Sequence, residues 1–85
     1  MVMSDDLIIY RSRIDLIDDR IATALKDRAM LTAEIQKYKQ KNNIQKKDEK
    51  REEQIINRMT RATSEYISEE LITNIYKLIF KETVK

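Results

Sequence analysis

The chain has 85 residues and a mass of 10.2 kDa, which fits one small domain and leaves no room for separate catalytic and regulatory units. It contains no Cys, His, Gly or Pro, which excludes disulfide scaffolds, Cys/His zinc sites, imidazole catalysis and glycine-rich phosphate loops, and argues against many tight turns. The 17 basic and 15 acidic side chains nearly cancel at a net charge of +2. A protomer of this size buries only about 60% of its unfolded surface, so we expect a few long helices that need a partner chain for stability.

The first predicted element is a long helix over about residues 5–41. Apolar residues recur at alternating steps of three and four, a spacing that only a helix satisfies. The seam consists of Leu7, Tyr10, Ile14, Ile17, Ile21, Ala24, Arg28, Leu31, Ile35 and Tyr38. Such a helix would be about 55 Å long, whereas a compact chain of this size has a radius of gyration of about 12 Å. We therefore expect the helix to project from its own protomer and to be covered by a second chain.

A second helix is predicted over about 48–62, after a polar connection at 42–47. Polar residues at Asp48, Arg51 and Glu52 continue the helical spacing of the apolar residues that follow them. These three polar side chains are therefore expected on the inner face of the helix.

A third helix is predicted over about 68–84. Ser68 followed by two glutamates is typical of an N-cap, and the apolar face consists of Ile72, Ile75, Tyr76 and Ile79. The start of the chain is acidic, and no apolar run reaches the roughly 20 residues of a membrane span. The sequence thus predicts a single all-α domain over 1–85 in a cytoplasmic protein that does not bind a membrane.

Arg28 stands at a seam position where the pattern calls for an apolar residue, and a buried cation is costly unless it is paired. Taken alone, such an Arg is commonly explained by an interhelical ion pair or by selection of helix register. Lys39 lies 11 residues further along the same face, and Asp48, Arg51 and Glu52 are expected to face inward nearby. Together these side chains predict a mixed polar cluster with apolar walls, which fits a small anionic ligand.

Arg11 lies 17 residues before Arg28, roughly 25 Å along the same helix, so the two guanidiniums of one chain cannot hold one small ligand. By itself, Arg11 is typical of an exposed helix charge. An antiparallel partner helix could bring a second Arg11 beside Arg28.

The spacing of these residues resembles that of AroQ-type chorismate mutases over nearly the whole chain. The matching positions are Arg11, Ile14, Ile17, Asp18, Ile21, Leu25, Asp27, Arg28, Leu31, Ile35, Lys37, Tyr38, Lys39, Asp48, Arg51 and Glu52. The resemblance implies an all-α, intertwined homodimer with three helices per chain, in which each active site takes residues from both chains. It also implies conversion of chorismate to prephenate in aromatic amino-acid biosynthesis, with neither a cofactor nor a metal.

The family's residue roles carry over by position. Arg28 and the partner's Arg11 would hold the two carboxylates of the substrate, and Lys39 would donate to its ether oxygen. This reaction is a unimolecular [3,3] rearrangement that needs neither a nucleophile nor a proton transfer. Catalysis then requires selection of the reactive conformer and stabilisation of the negative charge that develops on the ether oxygen.

The remaining family positions lie in the second and third helices. Glu52 would accept a hydrogen bond from the ring hydroxyl with backbone help from Asp48, Arg51 would line the carboxylate side, and Thr83 matches a hydroxyl that contacts a carboxylate. The family places a Gln one helical turn after that hydroxyl residue, whereas this sequence ends at Lys85. By analogy with loss of an oxyanion donor, we expect a rate lower by about 10²–10³, a truncated chain, or a relative with another substrate.

Three other functions stay open. Isochorismate-pyruvate lyases and aminodeoxychorismate mutases share the fold and most of the cationic residues, and a non-enzymatic helical interaction module would also explain the heptads and the high charge. Nucleic-acid binding is not expected, because acidic residues interrupt the basic run and the net charge is only +2. That basic run consists of Lys37, Lys39, Lys41, Lys46, Lys47, Lys50 and Arg51.

Overall fold

The computed structural model describes residues 2–83, and the side chains of 5–82 among them. The described chain consists of three α-helices and contains no strand, which confirms the predicted all-α class. The helices are α1 (Val2–Lys41), α2 (Glu49–Thr63) and α3 (Glu69–Thr83). The observed bounds lie within three residues of the expected ones, and position 84 of the expected third helix lies outside the described residues.

The chain divides within α1 into two units, Met1–Leu31 and Thr32–Lys85. In the first unit, large apolar side chains are between 45% and 63% exposed. They are Leu7, Ile8, Ile9, Tyr10, Ile14, Leu16, Ile17, Ile21, Leu25, Met30 and Leu31. At 100° per residue, seven of them lie within about 120° of one another around α1: Leu7, Tyr10, Ile14, Ile17, Ile21, Leu25 and Leu31. Such an exposed apolar stripe is typical of an interaction site, because single apolar residues are common on surfaces but long stripes are not.

The core of the second unit lies between α2 and α3, which pack against each other. Ile55 on α2 and Ile72 and Phe80 on α3 are buried, and the rings of Tyr76 and Phe80 lie 5.8 Å apart at 47°. The distance between the ring centroids lies in the range that aromatic pairs favour. Ile75 is 40% exposed in the single chain, so the packing of α3 on α2 does not bury it. Ile72, Tyr76 and Phe80 define the packed face of α3. At 100° per residue, Ile75 lies about 100° around the helix from the centre of that face.

Helix α1 ends in a Schellman motif. Asn43 has a positive φ of 55°, a conformation that Asn tolerates better than most residues. The backbone N–H of Ile44 donates to the carbonyl of Lys39 at 2.8 Å, and that of Asn43 donates to the carbonyl of Gln40 at 3.4 Å. The motif stops the helix at the pair of asparagines and places the last turn of α1 next to the connection that follows.

Both shorter helices begin with a side-chain cap. The carboxylate Oδ1 of Asp48 accepts from the backbone N–H of Arg51 at 3.0 Å, and the hydroxyl of Ser68 accepts from the N–H of Leu71 at 3.2 Å. Asp48 therefore precedes α2 as its N-cap, one residue before the helix begins. The predicted capping role of Ser68 is confirmed.

Among the described residues, no helix combines the length and the apolar character that crossing a membrane requires.

Candidate active site

A cavity of about 470 Å³ lies where the connection between α1 and α2 folds back on the end of α1. Its volume falls in the range of small-molecule sites. The residues that line it are Lys39, Ile44, Gln45, Lys47, Asp48 and Glu49. The cavity brings together two of the side chains that the sequence analysis selected, Lys39 and Asp48.

Lys39 is held at this cavity by the connection. Its side chain is half-buried, and its Nζ donates to the backbone carbonyl of Lys46 at 3.0 Å. An ammonium group has three N–H donors, so this bond leaves two of them for other acceptors. The contact depends on the turn at Asn43, which directs the connection back towards the last turn of α1. Lys39 is therefore a hydrogen-bond donor of fixed position at the cavity wall.

Asp48 and Glu52 are tied to each other at the start of α2. Besides capping through its side chain, Asp48 accepts a hydrogen bond from the backbone N–H of Glu52 through its carbonyl, at 3.1 Å. The Glu52 side chain is half-buried in the first turn, where a carboxylate interacts favourably with the helix dipole. The cap therefore fixes the backbone from which the Glu52 carboxylate projects.

Arg51 is more exposed than its neighbour Glu52. Its side chain is exposed, contrary to the expectation that it faces inward, and neither Arg51 nor Glu52 lines the cavity of Lys39. Glu52 lies near the middle of the face that contains Ile55, Ile56 and Met59, whereas Arg51 lies at the edge of this face, about 100° around the helix from Glu52 and about 40° from Ile55. Asp48 is likewise exposed, as is typical of a capping residue ahead of the first turn.

In the first unit, the side chain of Arg28 is less exposed than those of the other described residues. Among the described side chains of residues 5–31, that of Arg28 alone is half-buried, and its Nη1 atom exposes less than 1 Å². Arg11 is exposed on the same helix. Seventeen residues separate the two, so their backbones lie about 25 Å apart along the axis. The structure thus keeps the two guanidiniums of one chain apart, in agreement with the sequence analysis.

Thr83 is the last residue of α3, and its side chain lies outside the described part of the chain.

Sequence reasoning missed part of the cavity wall, namely Ile44, Gln45, Lys47 and Glu49, and it missed the carbonyl of Lys46 as the acceptor for Lys39. In the sequence, Lys47 is distinguished only as part of a basic run. The signal that could have found this wall is the asparagine pair after α1, because a left-handed residue there turns the chain back. Lys47 also pairs with Glu49 at 3.9 Å, and both side chains are more than half exposed, so the pair contributes little to stability.

The chain matches the chorismate mutase type II family over residues 10–85. It therefore belongs to that family, which confirms the family identified from the spacing of its polar residues.

A curated relative agrees with this assignment. The chain is 31% identical over 85 residues to the bifunctional chorismate mutase/prephenate dehydratase of Buchnera aphidicola subsp. Acyrthosiphon pisum (strain APS). The similarity covers 99% of this chain and 22% of that relative, so the chain spans about a fifth of its length. No solved structure matches the chain significantly. The family and the relative both agree with the predicted class of enzyme, a chorismate mutase.

Proposed function

We propose that the chain converts chorismate to prephenate by an intramolecular [3,3] rearrangement, as a step of aromatic amino-acid biosynthesis. The match to the chorismate mutase type II family over residues 10–85 carries this proposal. The position of Lys39 at a cavity of about 470 Å³, with its ammonium bound to the Lys46 carbonyl, supports it, because the reaction needs a fixed donor in a space for a small molecule.

The proposed mechanism uses fixed charges only. Chorismate carries two carboxylates, and their binding by guanidinium groups selects the folded conformer in which the reacting carbons approach each other. As the ether bond breaks, negative charge develops on its oxygen, and Lys39 donates a hydrogen bond to that oxygen. The bond to Lys46 orients this ammonium before the substrate binds, so little reorganisation is needed during the reaction.

The guanidinium pair of the proposed site comes from two chains. Arg28 and the partner's Arg11 hold the two carboxylates, since about 25 Å separates these positions within one α1. The exposed apolar stripe of the first unit supports a partner chain, because it supplies the surface through which two copies of α1 pair. We therefore infer that residues 1–85 form a single chorismate mutase domain within an intertwined homodimer.

The other proposed contacts come from α2 and α3. Glu52 accepts from the ring hydroxyl, with Asp48 contributing through the backbone that its cap holds in place. Arg51 lines the carboxylate side, and Thr83 contributes a hydroxyl near a carboxylate. These roles follow the family positions, and the half-buried position of Glu52 supports the first of them. The cytoplasmic location that the sequence predicts stays a prediction.

The experiment that tests the proposal follows the loss of chorismate absorbance with the purified chain, made in a host that lacks its own chorismate mutases. The product is identified by chromatography and mass. Formation of prephenate is the expected result, with a Lys39→Ala preparation as the control for contaminating enzyme. A parallel assay with isochorismate measures release of pyruvate. Pyruvate release without prephenate formation would replace the proposal with the lyase alternative, and inactivity in both assays would reject it.

A further inference from the structure

Positive charge is concentrated in one short part of this chain. Residues 37–51 contain seven basic and two acidic side chains, a net charge of +5, whereas the other 70 residues contain ten basic and thirteen acidic ones, a net charge of −3. All fifteen residues belong to the second unit, where they form the end of α1, the connection and the start of α2. The cavity that contains Lys39 lies in this segment.

Only some of these cations have an ordinary structural explanation. Lys39 and Lys41 lie in the last turn of α1, where positive charge interacts favourably with the helix dipole, and Lys37 pairs with Glu34 at 3.4 Å. That explanation does not apply to Lys46, Lys47 and Lys50, which we call the lysine collar. They lie just before and within the first turn of α2, where the helix dipole disfavours a cation.

The lysine collar makes few ion pairs, although Asp48 and Glu49 lie between its members and reduce the net charge of residues 46–50 to +1. Its three side chains are exposed, and within the described residues only Lys47 has a carboxylate within 4.0 Å, that of Glu49 at 3.9 Å. Lys46 and Lys50 have no such carboxylate among the side chains that the structure describes. Three exposed ammonium groups within five residues of the sequence add nothing to the packing of the helices. Such an arrangement fits attraction of an anion towards the neighbouring cavity.

We propose that the lysine collar attracts the dianionic substrate to the cavity of Lys39 through long-range electrostatics, without contacting the reacting atoms. This inference rests on the proposed function for the identity of the substrate. A dianion interacts twice as strongly with each ammonium group as a monoanion does, and the interaction is screened over about 8 Å at physiological ionic strength. Attraction of this kind acts equally on the bound substrate and on the transition state, so it lowers KM and leaves kcat unchanged.

The test compares three proteins at two ionic strengths. The collar variant is Lys46→Gln/Lys47→Gln/Lys50→Gln. A matched control, Lys26→Gln/Lys77→Gln/Lys81→Gln, removes the same number of exposed charges elsewhere. A double variant, Lys46→Gln/Lys50→Gln, leaves the lining of the cavity and the pair of Lys47 with Glu49 intact. Circular dichroism establishes that all variants are as helical as the wild type.

The collar variant should raise KM about tenfold at an ionic strength of about 0.01 M and about threefold at about 0.15 M, with kcat within about twofold of wild type. For the double variant, the change in log KM should be more than half of that for the collar variant. The control should change KM about twofold or less. An equal effect of the collar and control variants would overturn the proposal. An effect of the collar variant that does not depend on salt, or that appears in kcat, would also overturn it.

A second readout separates failure of this inference from failure of the proposed function. Calorimetry measures binding of a bicyclic dicarboxylate that mimics the transition state, which needs no turnover. One outcome is an inactive wild type that still binds this compound, with an affinity that the collar variant loses in a salt-dependent way. That result would support attraction of the dianion by the lysine collar and reject the proposed mutase activity. If the wild type does not bind the compound, or if the collar variant binds it as tightly, the collar has no such role.

Discussion

The ammonium of Lys39 donates to the backbone carbonyl of Lys46 at 3.0 Å, across the turn that ends α1. The first residue belongs to the last turn of the helix and the second to the connection, so the bond joins two elements that the Schellman motif at Asn43 brings together. The cation that the proposed reaction needs is thus oriented by backbone atoms of a short polar connection.

Replacement of Lys39 by alanine should lower kcat by about 10²–10³, because a positioned donor to the developing oxyanion is lost. KM should change much less, since the interaction is strongest in the transition state. Initial rates of chorismate loss measure both constants. Lys37→Ala is the matched control, because the Lys37 ammonium makes only an exposed ion pair with Glu34. An equal loss of kcat in that control would contradict the role of Lys39.

Replacement of Asp48 by alanine should lower the free energy of unfolding by about 1 kcal/mol, because the cap on the N–H of Arg51 is lost. Asp48→Asn should keep most of this stability, since an amide oxygen also caps a helix. Urea unfolding followed by circular dichroism measures the difference. If the asparagine variant were as unstable as the alanine variant, the contribution of Asp48 would come from its charge and not from the capping bond.

Replacement of Glu52 by alanine should lower kcat/KM by about 10- to 100-fold, the effect of losing a hydrogen bond to a charged group. The variant should remain folded, as its helical circular dichroism and melting temperature would establish. Glu53→Ala removes the same charge from the next residue, which is exposed, and should stay near the wild-type rate. Collapse of the fold in the Glu52 variant would show a structural role instead.

A charge on the apolar seam of the first unit should break self-association. Ile21 is 52% exposed in the single chain, and burial of a glutamate at that position against a partner would be costly. We expect sedimentation equilibrium to give a dimer for the wild type and a monomer for Ile21→Glu. Lys26→Glu, an exposed position on the same helix away from the seam, should remain dimeric. A monomeric wild type, or a dimeric Ile21→Glu variant, would contradict the proposed pairing.

The helices could be predicted from the sequence because their signals are local. The seam of α1 repeats over five heptads, and Ser68 and the asparagine pair mark helix ends through their own side chains and backbone preferences. Arg28 was found because it interrupts this seam, and its half-burial is consistent with that position. Helical spacing alone does not tell which apolar residues of α3 pack on α2, and Ile75 is 40% exposed in the single chain.

The candidate site was only partly predictable. Helical spacing indicates Lys39 and Asp48 as members of one polar cluster, the family resemblance gives them roles, and the structure places both at one cavity. The contact of Lys39 with the Lys46 carbonyl was not predictable, since a backbone acceptor has no signature in the sequence and depends on the turn at Asn43. The exposure of Arg51 was missed for a similar reason, because helical spacing alone does not tell the edge of a face from its centre.

The central claim, that each active site takes Arg28 from one chain and Arg11 from its partner, is tested most directly by mixing two inactive proteins. Arg11→Ala and Arg28→Ala chains are unfolded together and refolded in equal amounts. Random pairing makes half of the dimers mixed, and each mixed dimer has one intact site, so about a quarter of the wild-type activity should return. Recovery near that value supports the shared site. If both variants dimerise and their mixture stays as inactive as either alone, the shared site is contradicted.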